Sequence, residues 1–315
     1  MDPRDQLLFD RATRALGTAV TVGDAFVRVR AIIGPLNFPQ TEAVAEEAMR
    51  KLRNGIVPTP AERAALELVV KALRPSVLSR QGMLDDLPQP EKQSQEAKDR
   101  WTKFRGLFEP FLYAVGRIDR VAKPADIPLA TGFVISDHLL VTNKHVLAAL
   151  SFETMVLEKG QAVVRFGQES GTVPDLPPVA ITGVVAVHPD LDIAVLRIDS
   201  VTAPPLPISD RNPAVEEAIA VVGYPQADSR NPVFTRAIFQ DRYKLKRVAP
   251  GEMVGSAANT IYHDCSTLGG NSGSPVVALK DGRVTGLHYD GRLFMFRNEA
   301  VDAVSLHQFV KRFLV

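Results

Sequence analysis

The stretch DCSTLGGNSGSP, residues 264–275, is followed at once by the apolar run VVAL of residues 276–279. Glycines at this density allow a tight turn, and an apolar run after a turn is typical of a buried strand. Such a turn presents the Ser272 hydroxyl at a cleft, while the amides of Gly270 and Ser272 point at one spot. Two converging amides are what the negative oxygen of a tetrahedral intermediate needs. A Gly/Ser turn is more often only a turn, so this interpretation requires a base and a carboxylate elsewhere in the chain.

Two upstream stretches supply those groups. Residues 130–150, ATGFVISDHLLVTNKHVLAAL, have the pattern of strand, turn, strand and short helix, and His145 follows the second strand. Residues 184–198, VVAVHPDLDIAVLRI, place Asp192 directly before an apolar run. This position favours Asp192 over Asp190, because the strand would desolvate a carboxylate that lies beside the imidazole. A serine hydroxyl near neutral pH needs an imidazole to take its proton, and the imidazole needs an acid to fix its tautomer.

The motifs around these residues resemble those of the trypsin-like (chymotrypsin-fold) serine peptidases, in which the triad also follows the order His, Asp, Ser. The matching motifs are TNKHV around His145, DIAVLRI from Asp192, GGNSGSP around Ser272, VGYP at 222–225 and GLHYDG at 286–291. The resemblance runs from about Phe111 to Val315. It is strongest to the bacterial glutamyl endopeptidases and to intracellular trypsin-like peptidase domains.

The resemblance implies a mainly β fold with two antiparallel six-stranded β-barrels, His145 and Asp192 coming from the first and Ser272 from the second. It also implies the mechanism. Ser272 attacks a peptide carbonyl, His145 takes and returns the proton, Asp192 stabilises the imidazolium, and the amides of Gly270 and Ser272 form the oxyanion hole. Neither a metal nor an organic cofactor is required. The digestive members place an aspartate before the serine to receive a freed N-terminus, whereas this chain has Asn271, so we expect no such activation step.

Four residues bear on the choice of substrate. In the glutamyl endopeptidases that this region resembles, a threonine five positions before the nucleophile and a histidine in a Gly-Ile-His motif contact the substrate glutamate, and Thr267 and His288 match them. Gly291 would pair with the backbone of an extended substrate. These matches predict cleavage after Glu or Gln. Asp290 stands where the family has glycine, which keeps open a preference for a small or apolar residue and a purely structural role for His288.

The chain before residue 111 predicts a different architecture. We assign residues 1–80 to a small α-helical domain, 81–110 to a linker with a connecting helix, and 111–315 to the peptidase-like domain. The first of these contains no histidine, no cysteine and no glycine-rich phosphate loop. We therefore expect it to dock or regulate rather than to catalyse.

Local patterns place the helices within this scheme. Apolar spacing predicts helices from Asp5 to Ala19, from Thr41 to Arg53, from Pro60 behind a Thr59–Glu62 capping box, over Gln95–Leu107 and over Ser305–Val315. The stretch from Ser79 to Ser94 is rich in Pro, Gln and charge, which is typical of a linker.

Composition limits the cellular setting and the partners. The formal net charge of +1 comes from 37 basic and 36 acidic residues that are mixed along the chain, so there is no electrostatic footprint for nucleic acid. One cysteine excludes an intramolecular disulfide. The start MDPRDQLLFDRATRAL lacks the apolar core of a signal peptide, and no apolar run approaches the roughly 20 residues of a membrane span. We therefore expect a cytoplasmic protein with no membrane partner.

Other residues whose side chains could take part in catalysis or metal binding receive structural interpretations. His138, His188 and His307 have no partner at metal-ligand spacing. His263 is expected to form part of the pocket wall. Cys265 lacks the glycine turn of the nucleophile, and a lone cysteine in a strand is usually a small buried apolar group.

Together these features predict an intracellular serine endopeptidase that acts on protein or peptide substrates under control, because an unrestrained protease would damage its host. The helical domain is the expected docking site for a regulatory protein partner, as in the trypsin-like effectors of bacterial conflict systems that the chain resembles, and antiviral defence is the expected setting. Two alternatives stay open. One is a catalytically silent peptide-binding or adaptor module, and the other is an esterase-like hydrolase.

Overall fold

The computed structural model of the chain describes residues 2–16, 22–23, 39–87, 94–171, 176–228, 238–292 and 297–314. Its first part is a helical unit built from α1 (Pro3–Leu16), α2 (Pro39–Arg53) and α3 (Pro60–Leu73). Each helix turns an apolar stripe toward a shared core, as a period of 3.6 residues requires. The buried members of this core include Leu8, Ala12, Leu16, Ala45, Met49, Leu52, Leu66, Val69 and Val70.

The capping box predicted at the start of α3 is confirmed. The Thr59 amide donates a 2.6 Å hydrogen bond to Glu62 Oε2, and the Glu62 amide donates a 3.3 Å bond to Thr59 Oγ1. Pro60 takes the first helical position, where its missing N–H is not needed. The helix predicted at the N-terminus is α1, which ends at Leu16. Ala19, which the apolar pattern also included, lies outside the described residues.

Helix α2 ends where the sequence predicted and begins earlier. After Arg53 the chain turns at Gly55, whose positive φ of 70° suits a residue without a side chain. The helix begins at Pro39 and so already includes Thr41, the residue predicted to cap it. A proline at the first turn is compatible with helical backbone and lacks only an amide that no helix uses there.

Part of the segment predicted as a linker is a β-hairpin, which corrects the sequence analysis. Strand β1 (Val77–Arg80) pairs with β2 (Met83–Leu84), and the turn between them has positive φ at Gln81 and Gly82. Strand β1 also pairs antiparallel with a strand of the second barrel. A run of four residues is too short for its pattern to separate strand from linker, and its main partner lies far along the chain. Residues 88–93 of the same segment lie outside the described residues.

Helix α4 (Gln95–Phe108) forms the predicted connecting helix. It begins after Ser94, whose hydroxyl accepts a 3.1 Å hydrogen bond from the Ala97 amide. The helix packs on the barrels, because its buried aromatic side chains belong to their core. These side chains are Trp101, Phe104 and Phe108. A 3₁₀ turn (Glu109–Ala114) then leads into the first barrel.

The first barrel is a closed ring of six antiparallel strands in the order β3-β4-β5-β8-β7-β6. Its strands are β3 (Val115–Arg120), β4 (Ile127–Ser136), β5 (Leu139–Thr142), β6 (Ala162–Arg165), β7 (Val179–Val187) and β8 (Ala194–Ile198). Helix α5 (Lys144–Leu150) leaves the end of β5. Apolar side chains fill the interior, so the barrel is a packed support for the loops at its rim.

The second barrel closes in the order β9-β10-β11-β14-β13-β12, because β10 pairs with both β9 and β11, and β12 pairs with β9. Its strands are β9 (Ala218–Gly223), β10 (Arg247–Ala257), β11 (Thr260–His263), β12 (Pro275–Ala278), β13 (Val284–Arg292) and β14 (Arg297–Asp302). The hairpin β1-β2 extends this sheet beyond β10.

The chain continues into helix α6 (Ala303–Val310) and a 3₁₀ turn (Lys311–Phe313), close to the helix predicted for the C-terminus. The predicted fold class, two antiparallel six-stranded β-barrels preceded by a helical unit, is confirmed. Over the described ranges, no helix combines the length and the apolar character that crossing a bilayer would need.

Candidate active site

His145 and Asp192 contact each other at the rim of the first barrel. Asp192 Oδ2 lies 2.7 Å from His145 Nδ1, and Asp192 Oδ1 accepts a 2.9 Å hydrogen bond from the His145 amide. Asn143 adds a third link, because its Nδ2 donates a 2.9 Å bond to the Asp192 carbonyl. An ionised carboxylate only accepts hydrogen bonds, so Nδ1 carries the ring proton and Nε2 keeps its lone pair. That lone pair is the one that a general base uses.

The loop that carries Asp192 is shaped by His188. Nδ1 of His188 accepts hydrogen bonds of 3.1 and 3.0 Å from the amides of Asp190 and Leu191. The ring also packs against Phe309 of α6, with 5.0 Å between the ring centroids. Burial lowers the pKa of His188, which favours the neutral form that can accept these bonds. Apart from the proline that follows His188, nothing in the sequence indicates this role.

Thr131 of the first barrel holds the loop that carries Ser272. The Thr131 amide donates a 2.9 Å hydrogen bond to the Ser272 carbonyl, and the Thr131 hydroxyl donates a 2.8 Å bond to the Gly270 carbonyl. Thr142, at the end of β5, donates a 2.8 Å bond to the Thr131 carbonyl. Since His145 follows Thr142 by three residues, these bonds bring the serine loop and the histidine to the same cleft. Thr142 belongs to the TNKHV motif, but the sequence indicated this role for neither threonine.

The glycines around Ser272 lie where no side chain fits. Gly270 has a φ of +89°, and a Cβ there would lie 2.4 Å from the Tyr224 carbonyl oxygen. Gly273 has a φ of +83°, and its Cβ would lie 2.1 Å from the Thr131 carbonyl oxygen. Both conditions require glycine, because other residues rarely adopt this backbone and would collide in it.

The backbone groups of this turn leave two donors for a ligand. The carbonyls of Gly270 and Ser272 are used by Thr131, whereas the amides of these two residues donate to no acceptor in the part of the chain that the structure describes. The neighbouring Asn271 amide is engaged, with a 3.2 Å bond to the Leu268 carbonyl. Two unused amides beside a serine are suited to an oxygen that gains negative charge.

The Ser272 side chain is half-buried, and its hydroxyl makes no hydrogen bond with any described residue. The structure therefore brings His145 and Asp192 into contact but does not join Ser272 to His145 by a hydrogen bond. Catalytic hydrogen bonds are often long in a site without substrate and tighten when substrate binds.

The residues predicted to contact substrate lie together in the second barrel. His288 is buried, and its Nδ1 lies 3.2 Å from Nε2 of His263 on the neighbouring wall. A Cβ on Gly291 would lie 3.1 Å from Thr267 Oγ1 and 3.3 Å from Asn298 Oδ1, which places both oxygens beside this glycine.

Asn298 is a pocket residue that the sequence did not indicate. It is opposite Gly291 in the pairing of β13 with β14, and its Nδ2 donates a 2.5 Å hydrogen bond to the Cys265 carbonyl. This bond fixes which end of the amide is oxygen. Asn298 Oδ1 and Thr267 Oγ1 are both buried, and neither has a hydrogen-bond partner among the described residues. Buried polar atoms of this kind usually have a partner, so both are available to a ligand.

The loop that carries Ser272 is joined to strand β13, and part of that strand is an open edge. The Gly273 amide donates to the His288 carbonyl, and the His288 amide donates to the Ser274 carbonyl, each at 2.9 Å. Strand β12 pairs with β13 only up to Leu287. The edge of β13 after His288 that faces away from β14 has no paired strand among the described residues. An extended peptide can add to such an edge.

Cys265 is not available as a nucleophile. It is fully buried, and burial together with the charge of Asp264 raises the pKa of its thiol well above the ordinary range. Over the described ranges, no group of three His, Cys, Asp or Glu side chains has the geometry to hold a metal ion.

Two closed barrels with a serine loop held across the cleft between them define the chymotrypsin fold class. Within that class, the family described as trypsin-like peptidase domain matches residues 130–287, and the chain belongs to this family. A glutamyl endopeptidase of Staphylococcus epidermidis is 26% identical over 196 residues, which cover 58% of this chain and 60% of that protein. A glutamyl endopeptidase of Staphylococcus aureus is 26% identical over 221 residues, which cover 66% of this chain and 58% of that protein. The match thus spans less than two thirds of the length of these relatives.

Solved structures show similarity over a comparable part of the chain. A serine endoprotease from Yersinia pestis has a TM-score of 0.49 and 20% sequence identity, covering 68% of this chain and 66% of that one. The active form of the Rv3671c protease from M. tuberculosis has a TM-score of 0.44 and 20% identity, covering 64% of this chain and 81% of that one.

Proposed function

We propose that the protein is a serine endopeptidase that cleaves peptide bonds through an acyl-enzyme. The observation that carries this proposal is the contact between Asp192 and His145, which fixes the proton on Nδ1 and leaves Nε2 as a base. The unused amides of Gly270 and Ser272 support it, because two free amide donors can stabilise an oxyanion that forms beside Ser272. Membership in the trypsin-like peptidase domain family is consistent with this chemistry.

The proposed mechanism follows from these positions. On substrate binding, the Ser272 hydroxyl turns to His145 Nε2, which takes its proton as the oxygen attacks the scissile carbonyl. The Gly270 and Ser272 amides stabilise the oxyanion, and Asp192 stabilises the imidazolium. His145 then gives its proton to the leaving amine. A water molecule repeats these steps on the ester and releases the acid product.

For specificity, we propose cleavage after Gln or Glu, with Gln preferred. Thr267 Oγ1 and Asn298 Oδ1 lie beside Gly291 without partners among the described residues, and Asn298 Oδ1 can only accept a hydrogen bond. A substrate carboxamide offers both a donor and an acceptor, whereas an ionised carboxylate offers only acceptors. A glutamate side chain would therefore leave the Asn298 oxygen buried and unsatisfied, which is unfavourable. His288 completes the pocket as a further hydrogen-bonding group.

For cellular role, we propose a regulated cytoplasmic effector of bacterial antiviral defence whose helical domain, residues 1–80, docks a regulatory protein partner. The proposal rests on a helical unit that has its own core and carries no histidine or cysteine. A unit of this kind is suited to binding a partner through its surface rather than to catalysis. Its test is the plating efficiency of phage on host cells expressing the wild type or Ser272→Ala. Equal plating on both would contradict a protease-dependent defence role.

The test of the activity compares wild type and Ser272→Ala in a fluorophosphonate labelling reaction, followed by a mixed peptide library analysed by mass spectrometry. We expect labelling of the wild type alone and cuts after Gln and Glu. Thr267→Val should then reduce cleavage after Gln while leaving labelling unchanged, because the probe carries no side chain for the pocket. Labelling with cuts at unrelated residues would contradict the pocket assignment and keep the mechanism.

A second candidate function is a silent peptide-binding module, which the missing hydrogen bond of the Ser272 hydroxyl favours. This alternative predicts a folded wild type that neither labels nor cleaves but still binds extended peptides at the edge of β13. Turnover of amide substrates, as opposed to esters alone, separates the peptidase from an esterase-like hydrolase.

A further inference from the structure

Two arginines of the helical unit share one carboxylate of the second barrel. Asp264 Oδ2 accepts a 3.1 Å hydrogen bond from Arg11 Nε, and bonds of 3.1 and 2.7 Å from Arg74 Nε and Nη2. Arg11 lies on α1, Arg74 directly follows α3, and Asp264 directly follows β11. The side chains of Arg11 and Asp264 are only 5% and 2% exposed, and that of Arg74 is 13% exposed.

The charges of this cluster are retained despite burial. Burial raises the pKa of the Asp264 carboxyl, but the guanidinium groups of Arg74 and Arg11 outweigh this effect and hold the pKa at about 2. Arg11 also pairs with Glu67 of α3 at 2.9 Å, and Arg74 with Glu252 of β10 at 3.2 Å. If an arginine were lost, the buried negative charge of Asp264 would lack enough positive charge around it, which is costly in free energy. The contact is specific for this reason.

The same cluster holds the backbone around Asp264 from several sides. Asp264 Oδ1 accepts a 2.7 Å hydrogen bond from the Glu252 amide, which ties the carboxylate to β10. Two residues later, the Ser266 hydroxyl donates a 2.9 Å bond to the Arg74 carbonyl. Arg74 therefore binds this segment through both its side chain and its backbone carbonyl.

The segment held in this way is the start of the substrate pocket. Residues 264–268 belong to no strand, so no β ladder fixes their position. Thr267 follows Ser266 directly, and Ser272 stands five residues further on. Because a ladder is absent, individual contacts place the pocket wall. The contacts of Asp264 and Ser266 with Arg74 act there together with the Asn298 bond to the Cys265 carbonyl and the 3.2 Å bond from the Asp264 amide to the Glu252 carbonyl.

We propose that Arg74, assisted by Arg11, is a positioning residue for substrate binding. Through Asp264 the helical unit holds the wall that carries Thr267, so a partner that shifts the helical unit changes the affinity of the pocket for substrate. The inference rests on the proposed peptidase function and names the route by which that function is regulated. The two sites are coupled through a contiguous network of ion pairs, and the contact between Arg74 and Asp264 is the one that a mutation can break.

The variants are chosen to separate positioning from stability. Arg74→Met removes the charge and its hydrogen bonds, and Arg74→Lys keeps the charge without the planar fork. Arg63→Met is the matched control. Arg63 pairs with Asp5 through bonds of 2.5 and 2.9 Å, which likewise join α1 and α3 but involve no residue of the second barrel. Melting temperatures are recorded for all of them in the full chain.

The first measurement is steady-state hydrolysis of a peptide taken from the library. Arg74→Met should raise KM about tenfold while kcat stays within about twofold, with partial recovery in Arg74→Lys. Arg63→Met should leave both constants near wild type. Equal behaviour of Arg74→Met and Arg63→Met, or a fall in kcat at constant KM, would overturn the proposal.

The second measurement needs no activity and therefore separates this proposal from the proposed function. Amide hydrogen exchange in peptides covering residues 264–272 should be about tenfold faster in Arg74→Met than in Arg63→Met, with no change over 130–145. If the wild type neither labels nor cleaves, the peptidase proposal fails, and the exchange result still decides the coupling. Unchanged hydrogen exchange in residues 264–272 would overturn the proposed coupling. Should Arg74→Met fail to fold, Arg74→Lys and Arg11→Met are compared with Arg63→Met in the same way.

Discussion

The Thr131 hydroxyl donates a 2.8 Å hydrogen bond to the Gly270 carbonyl and so joins the first barrel to the loop of the second barrel that carries Ser272. This bond fixes the orientation of the peptide between Gly270 and Asn271, and so it helps to hold the turn that contains the unused amides of Gly270 and Ser272. We expect Thr131→Val to lower kcat about tenfold, less than the 10²–10³ of a lost oxyanion donor. KM should change little. The unsatisfied Gly270 carbonyl should also reduce the free energy of unfolding by about 1–3 kcal/mol.

The control for this prediction is Thr182→Val, which removes a hydroxyl bonded at 3.3 Å to the Arg197 carbonyl on the same barrel but away from the cleft. Steady-state kinetics and urea unfolding of both variants make the comparison. A normal kcat in Thr131→Val would mean that the turn keeps its shape without this bond.

Asp192→Asn should reduce kcat by about 10⁴, because an amide at this position no longer fixes the proton on His145 Nδ1. The rate of fluorophosphonate labelling should fall in parallel, while the fold is kept. Asp190→Asn is the matched control, since Asp190 is exposed and stands two residues away. A larger effect in Asp190→Asn than in Asp192→Asn would show that Asp190, and not Asp192, orients His145.

His188→Ala should destabilise the loop that carries Asp192, since two amides lose their acceptor and Phe309 loses a contact. We expect a loss of about 1–3 kcal/mol in the free energy of unfolding at pH 7.5, together with a lower kcat. The folded-state pKa of His188 is lowered from 6.5, so the unfolded chain binds the proton more readily. The stability that neutral His188 provides is thus present above pH 6.5 and is lost as the pH falls below it.

The pH dependence supplies the check on His188. The difference in unfolding free energy between wild type and His188→Ala should shrink as the pH falls from 7.5 to 5. His138→Ala, which alters an exposed turn histidine of the same barrel, should show no such trend. A difference that stays constant with pH would refute the role assigned to the neutral ring.

The stability that Asp264 contributes should be lost over a narrow range of acidic pH. Burial alone would raise its pKa, but Arg74 and Arg11 lower it from 3.8 to about 2. Ionised Asp264 is therefore favoured in the folded state, and its contribution is present above pH 4 and lost as the pH falls toward 2. The shift corresponds to about 2 kcal/mol. Urea unfolding between pH 2 and 5 should show this loss in the wild type, and Asp264→Asn should lack it. Parallel curves would mean that the arginines do not hold the carboxylate.

The substrate preference can be tested without changing the protein. Peptides that differ only in Gln or Glu before the scissile bond should be cleaved with a ratio of kcat/KM in favour of Gln at pH 7, because the carboxylate cannot donate to Asn298 Oδ1. A free Glu side chain has a pKa of about 4.3 and becomes a donor when protonated. The ratio should therefore fall toward one as the pH approaches 4.5. The Gln peptide serves as the control for the pH dependence of the triad itself, and a constant ratio would contradict the role of the amide pocket.

The sequence by itself determined the features that depend on short windows. The motifs around His145, Asp192 and Ser272 implied the two barrels through their resemblance to the trypsin-like peptidases. The capping box at Thr59 predicted the start of α3, and the glycines around Ser272 marked a turn that admits no side chain. The position of Asp192 directly before an apolar run also favoured it over Asp190 as the partner of His145. Each of these follows from residue types within a few positions of one another, where backbone geometry is set locally.

Only the tertiary structure decided the contacts that join distant parts of the chain. The hairpin β1-β2 exists because a barrel strand offers an edge to it, and the bond from Thr131 to Gly270 exists because two barrels meet there. The pairing of Arg74 with Asp264 spans 190 residues and leaves no local signature, since an arginine after a helix is ordinary. Such contacts are fixed by packing, in which a polar side chain takes the partner that burial brings to it, and no pattern along the sequence records which partner that is.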